Sequence, residues 1–299
     1  MPFCKIDSSS ALSMRRSPSR LNFHVIRTHP YSVMSTAIFL GAGASKSDDA
    51  PLQSELFLRY FENTGNRRGH GEIERELRTY FDLAFGIDVD SPELDESEFP
   101  TFEEAIGMLD LAESRGEAFR EFDRVGLAAN SGRIRKIRLY LVYAMATAIK
   151  EQVGQGRDHA TLVRELQRED LLQEVIFLSS NYDILIDNSL GDELVGTHPG
   201  RKIDYGVEFK NHSGWGYPGD DAIRLYKIHG SLNWVFCPVC NDIIITPFQK
   251  GAAKIASRPR EYACDRCRTL RAPIIVPPTL YKDISNVHLS KIWNRAEKI

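Results

Sequence analysis

Two Cys-x-x-Cys pairs, Cys237 with Cys240 and Cys264 with Cys267, carry the most specific chemistry in the sequence. Each pair can present two thiolates to one ion, and two pairs from separate short segments close a tetrahedral four-sulfur shell. A closed shell leaves no open coordination position, so the expected ion is a zinc that holds structure and performs no reaction. A redox dithiol is the alternative for either pair alone, although dithiol chemistry has no use for a second copy. The fifth cysteine, Cys4, stands far from the others, so the pattern is not a disulfide framework. With no secretory signal visible, reduced thiols point to a cytoplasmic protein.

Three polar clusters each follow a short apolar run, which is how a parallel sheet presents ligand-binding groups at its carboxyl edge. Residues 36–40 (TAIFL) lead into Gly41, Ala42, Gly43, Ala44 and Ser45. Glycine there permits positive φ and lets a pyrophosphate approach the backbone, while a helix starting at the turn adds free N–H groups. Lys46 stands where the dinucleotide fingerprint has its third glycine, and no acid ends a second strand about 20 residues on, so a tight structural turn is the other reading. Residues 174–178 (EVIFL) lead into Ser179, Ser180, Asn181, Tyr182 and Asp183. Asn181 can donate and accept toward a ligand, yet these residue types also favour helix starts, and a helix begins near Asp183. Residues 224–228 precede His229 and Gly230. The imidazole titrates near neutrality, as a general base should, and Gly230 could open space beside it; a hydrogen-bonded structural histidine is the alternative.

The elements that must position these groups follow from periodicity. Strands are expected at 36–40, 174–178, 224–228 and 272–276, with short hairpin-like strands around the cysteines. The first of these reads as buried on both faces. Helical patterning covers 52–60, 72–85, 101–112 and 133–150, and residues 287–299 place Leu289, Ile292, Trp293, Ala296 and Ile299 on one face. The fold class is therefore α/β: a Rossmann-like parallel sheet formed by 34–64 and 170–299, a helical insertion over 65–169, and a zinc-ribbon module over 234–272. Residues 1–33, rich in serine and arginine, read as a disordered tail or as upstream of the true start at Met34.

Composition narrows the partners. With 38 basic and 41 acidic residues, the net charge of -3 gives no general attraction to polyanions. A local basic excess of Lys250, Lys254, Arg258, Arg260, Arg266, Arg268 and Arg271 surrounds the cysteines, but only Phe248 and Tyr262 accompany it as stacking groups. It reads as a solvated face, with a nucleic-acid-docking ribbon as the alternative. The apolar stretch 139–149 is about half of the roughly 20 residues that cross a bilayer, so it reads as a buried helix, and no membrane partner is expected.

The order of these motifs, a GAGxS turn, an asparagine–aspartate turn, a histidine–glycine and paired cysteine knuckles, resembles the sirtuin family. GAGAS, SSNYD, KIHGSLNW and VPPTLYKDISNVHLSKIW resemble more specifically the divergent bacterial sirtuin-like domains, many of which serve in defence against phage. The resemblance spans residues 36–299 and implies that NAD is bound and consumed. It places Gly41, Ala42, Gly43, Ala44 and Ser45 along the NAD phosphates, Ser180, Asn181 and Asp183 around the nicotinamide ribose, and His229 as the catalytic histidine. Sirtuin deacylases carry phenylalanine and arginine after the GAGxS turn; here the run 49–54 (DAPLQS) keeps only the proline. The implied reaction is thus hydrolysis of NAD, with protein deacylation second and a non-catalytic NAD or ADP-ribose sensor third. A homo-oligomer or a defence partner protein is the implied activator. The family continues past the last helix into a strand near the adenosine, so the expectation is that this strand is missing here or supplied by another chain.

Overall fold

Alternating apolar runs become parallel strands because each is too short and too apolar to stand anywhere but inside a covered sheet. A computed structural model of the chain describes residues 25–26, 36–64, 71–115, 127–152, 157–197, 203–211, 222–246, 250–276 and 286–299. Strands β2 (Thr36–Leu40), β3 (Val175–Ser179) and β5 (Ile223–Lys227) lie side by side and parallel, with β4 (Ile203–Asp204) parallel beyond β5. Leu40 stands opposite Ser179, and Ser179 opposite Lys227. The three strands therefore end at one level, and the turns after them emerge side by side.

Two of these expectations need correction. Val25–Ile26, inside the supposed tail, forms β1 and pairs antiparallel with β2, Val25 against Ile38 and Ile26 against Ala37. The rest of residues 1–35 lies outside the described residues. Strand β2 is not buried on both faces either: Phe39 is 42% exposed, because no described element covers its ring.

The helices divide between two cores. After the five-residue α1 (Ala42–Lys46), helices α2 (Leu56–Thr64), α3 (Gly71–Phe85), α4 (Phe102–Arg115) and α5 (Leu127–Gln152) enclose an aromatic cluster in which Phe57 and Phe81 meet edge to face at 4.8 Å. Phe57, Tyr80, Phe81 and Phe102 are wholly buried there, each worth about 1.5–3 kcal/mol relative to exposure. The apolar stretch on α5 sits in this core, as expected, and among the described residues no helix is long and apolar enough to cross a membrane. Helix α6 (Arg157–Arg168) packs on α7 (Leu185–Thr197) and lends Val163 to the second core, which fills the sheet. The buried clusters thus draw α2 into the helical part and α6 onto the sheet.

A second, antiparallel sheet of β6 (Gly230–Phe236), β7 (Ile243–Ile245) and β8 (Ala272–Ile275) has the order β7-β6-β8. Between its strands runs α8 (Lys250–Ser257), where hairpin-like strands alone were expected. Leu232, Ala252 and Ile275 join this sheet and α8 to the helical core. Helix α9 (Val287–Ala296) buries Leu289 and Ile292 against the parallel sheet, with Trp293, Ala296 and Ile299 partly buried beside them, which is the face its spacing predicts. The Asn286 side chain caps it by accepting from His288 N and Leu289 N.

Candidate functional site

The level ends of β2, β3 and β5 bring their polar turns into one network. The Asn181 amide donates to the Gly41 carbonyl and to Ser45 Oγ, both at 2.8 Å. Ser45 Oγ in turn donates to Asp183 Oδ2 at 2.7 Å, while Asp183 Oδ1 accepts from Leu185 N at 3.0 Å at the start of α7. Asn181 spends both amide protons in this way, which leaves its Oδ1 as an acceptor without a hydrogen bond among the described residues. Beneath them the wholly buried Lys227 ammonium donates to the Asp183 carbonyl and pairs with Asp187 at 2.9 Å.

His229 follows β5. Its Nδ1 lies 3.0 Å from the Val276 carbonyl oxygen, which can only accept, so in the neutral ring Nδ1 carries the proton and Nε2 is the basic nitrogen. Tyr182 and Trp293 meet the ring edge-on, with centroids 6.4 and 6.2 Å away. Gly230 has a φ of +86°, and a Cβ there would lie 2.0 Å from the Ile274 carbonyl oxygen. The glycine admits the backbone of β8; it does not make room beside the imidazole, contrary to the sequence reading.

A cavity of about 120 Å³ opens above this edge, walled on one side by Ser45, Ser180, Asn181, Tyr182, Asp183 and His229. The loop after α1 and helices α2, α4 and α5 also line it, through Pro51, Gln53, Leu56, Phe102, Glu103, Met145 and Ile149. Thr101 and Glu104 cap α4 reciprocally, Thr101 N reaching Glu104 Oε2 at 2.8 Å and Glu104 N reaching Thr101 Oγ1 at 3.2 Å. That box fixes the start of the helix and leaves the neighbouring Glu103 at the cavity, where Gln53 Nε2 donates to its Oε1. Burial pushes the Glu103 carboxyl up to about 7, with repulsion from Glu104 adding to it. Burial, and after it the Glu103 charge, also raises the Tyr182 phenol well above its usual value. Gln53 Oε1 is buried with no hydrogen-bond partner among the described residues.

The cysteines form a separate centre at the far end of the antiparallel sheet. Their four sulfurs lie within 4.8 Å of one another, Cys237 being 3.4 Å from Cys267 and Cys240 3.9 Å from Cys264. Tetrahedral zinc with bonds of about 2.3 Å needs sulfurs about 3.8 Å apart, whereas a disulfide needs about 2.05 Å. The two knuckles repeat one geometry. Cys237 N bonds Asp242 O at 2.9 Å and Cys264 N bonds Thr269 O at 2.8 Å. Asn241 N and Arg268 N return to Cys237 O and Cys264 O at 2.9 and 2.8 Å. Asn241 and Arg268 adopt left-handed φ of 54° and 63° to do so. These four thiols can bind a metal ion. Around them Arg258 pairs with Glu261, Arg266 with Asp242, and the buried Arg271 lies 4.0 Å from Asp265, so the local basic excess is partly neutralised.

No protein-family model matches this chain, and no curated protein matches it either.

Of the residues singled out from sequence, Ala42, Ser45, Ser180, Asn181, Asp183 and His229 line one cavity. Gly41, Gly43 and Ala44 do not line it, and neither glycine adopts positive φ. Gly41 is extended, with φ -102° and ψ -176°, and a Cβ on Gly43 would meet open space, so the turn needs glycine for neither strain nor crowding. Ser45 is spent on Asp183 and Asn181. Asp183 serves both readings offered for it, bonding the start of α7 and lining the cavity. Gln53 and Glu103 were missed; the Thr101–Glu104 capping box marks the start of α4 but does not mark Glu103 as a site residue. Residues 277–285, part of the last motif in the resemblance, lie outside the described residues.

Proposed function

We propose that this protein cleaves the N-glycosidic bond of NAD to give nicotinamide and ADP-ribose. The observation that carries the reading is the convergence of Asn181, Asp183 and His229, from two strand ends, on one cavity that Ser45 also reaches from a third. The chemistry of the lining supports it. Among the described residues that line the cavity are two carboxylates and no lysine or arginine, so it suits the positive charge that builds on the ribose as nicotinamide leaves. With its Nδ1 on the Val276 carbonyl, His229 would use Nε2 as the base for a ribose hydroxyl. The NAD phosphates would then lie over the backbone near Gly43, outside the carboxylate-lined part, where a Cβ would meet open space. The resemblance of the motif order to sirtuins points to the same substrate, and the doubly wound sheet of that family is part of this proposal.

The cysteine centre is proposed to hold zinc, which when bound supplies no reactive position and fixes the sheet of β6, β7 and β8. Cys237, Cys240, Cys264 and Cys267 would be its ligands.

The test is product analysis by chromatography over a range of protein concentrations wide enough to drive self-assembly, with and without an acetyl-lysine peptide. Equal amounts of nicotinamide and ADP-ribose, independent of the peptide, are expected. Release of nicotinamide only with the peptide would make the chain a deacylase, and no release at any concentration would remove the proposal.

A further inference from the structure

We infer that Gln53 and Glu103, both outside the parallel sheet, hold the water molecule that attacks the ribose. The inference rests on the NAD-cleavage reading. A hydrolase must bind its water on the side of the ribose away from the departing ring, and hold it by its two protons so that a lone pair points at the anomeric carbon. Gln53 and Glu103 line the same cavity as His229 and carry two acceptors fit for those protons. One is Gln53 Oε1, buried and without a hydrogen-bond partner among the described residues. The other is Glu103 Oε2, which accepts from no group among the described residues, the Gln53 amide being spent on Oε1. The Gln53 amide donates to that carboxylate, so the two side chains are fixed against each other at the cavity. An unpaired buried acceptor destabilises the fold, and a bound water relieves that.

The step balances. As the bond between C1′ and the nicotinamide nitrogen breaks, its electron pair leaves with neutral nicotinamide, and the water oxygen bonds C1′. The Glu103 carboxylate takes one water proton and passes it to solvent, leaving the anomeric hydroxyl of ADP-ribose. Glu103 must be ionised to act. Its carboxyl titrates near 7 amid Glu104 on its own helix, Tyr182, Asp183 and His229 across the cavity, and Arg138 of α5, whose charge is felt at Tyr182. Turnover should therefore rise with pH through that region.

Full-length wild type, Glu103→Gln, Glu103→Asp, Gln53→Leu and His229→Ala are compared for nicotinamide release from pH 5 to 9, with melting temperatures alongside. Glu103→Gln should lower kcat by about 100-fold or more at unchanged KM and abolish the limb near pH 7, and Glu103→Asp should restore part of both. Gln53→Leu, which keeps the carboxylate, should lower kcat less and keep a pH limb; it stands in should Glu103→Gln not fold. The melting temperature of wild type should fall relative to Glu103→Gln as pH rises from 5 to 8. The neutral carboxyl is favoured by burial, so its stabilising share is present below the unfolded value and lost through the folded one. Wild-type kcat and pH profile in Glu103→Gln, with His229→Ala inactive, would overturn this inference alone. An inactive wild type would remove the parent reading, and this inference with it.

Discussion

The cysteine centre and the cavity are built on opposite plans. The first gathers four identical ligands from two copies of one knuckle, each with the same backbone bonds, and leaves no group unused. The second gathers dissimilar groups from two turns, a loop and four helices, and leaves acceptors at Asn181 Oδ1 and Gln53 Oε1 without hydrogen-bond partners among the described residues. A centre whose every ligand is satisfied by one ion can only hold; a cavity with unspent acceptors can bind and change a molecule. Helix α9 touches both, His288 Nε2 meeting the Asn241 carbonyl at 2.7 Å in the first knuckle and Trp293 meeting the His229 ring.

The largest effect expected from this contrast is at the metal. Structural zinc contributes about 10 kcal/mol or more to the folding of small domains. Cys264→Ser or a strong chelator should therefore release one metal ion per chain and lower the melting temperature by many degrees, with nicotinamide release lost only as the protein unfolds. Metal retained in the variant would break the four-thiolate assignment, and release lost while the fold persists would break the division between holding and acting. Next in size is Lys227→Met, which leaves Asp187 buried and unpaired beneath the site. Denaturant titration should show a loss of about 3–5 kcal/mol. An unchanged midpoint would mean that the pair does not anchor the Asp183 turn. The smallest is Asn286→Ala, which removes the α9 cap at a cost of about 1 kcal/mol. Metal affinity and KM for NAD measured on that variant should move together if α9 couples the two regions, and a change in neither would show them independent.

The contrast also explains what could be read in the sequence. Strands β2, β3, β5 and β8 fall within a residue of their expected places, because a covered parallel strand needs an unbroken apolar run and little else. The cysteine centre was legible from spacing alone, since both ligands of a knuckle lie on one local turn. Asn181, Asp183 and His229 were legible as strand-end residues, and the level register of the strands brings them together. Helix α8 was not, because its alanine- and lysine-rich segment is short and offers few large apolar side chains, Ala252 and Ile255 being buried. Gln53 and Glu103 were hidden for another reason. They face the site only because α4 and the loop after α1 fold back over the sheet edge, and their own neighbours in sequence carry no trace of that. Exposed Phe39 failed the simplest rule, that an apolar run is buried, since coverage depends on which elements arrive later.

The central claim, that the cavity acts on NAD, is tested most directly by the rate of nicotinamide release from His229→Ala beside wild type, with melting temperature and metal content measured on the same samples. The account predicts a fall of about 100-fold or more in turnover at an unchanged melting temperature and one metal ion per chain. Equal turnover in the two proteins, or a fall that only tracks unfolding or metal loss, would contradict it.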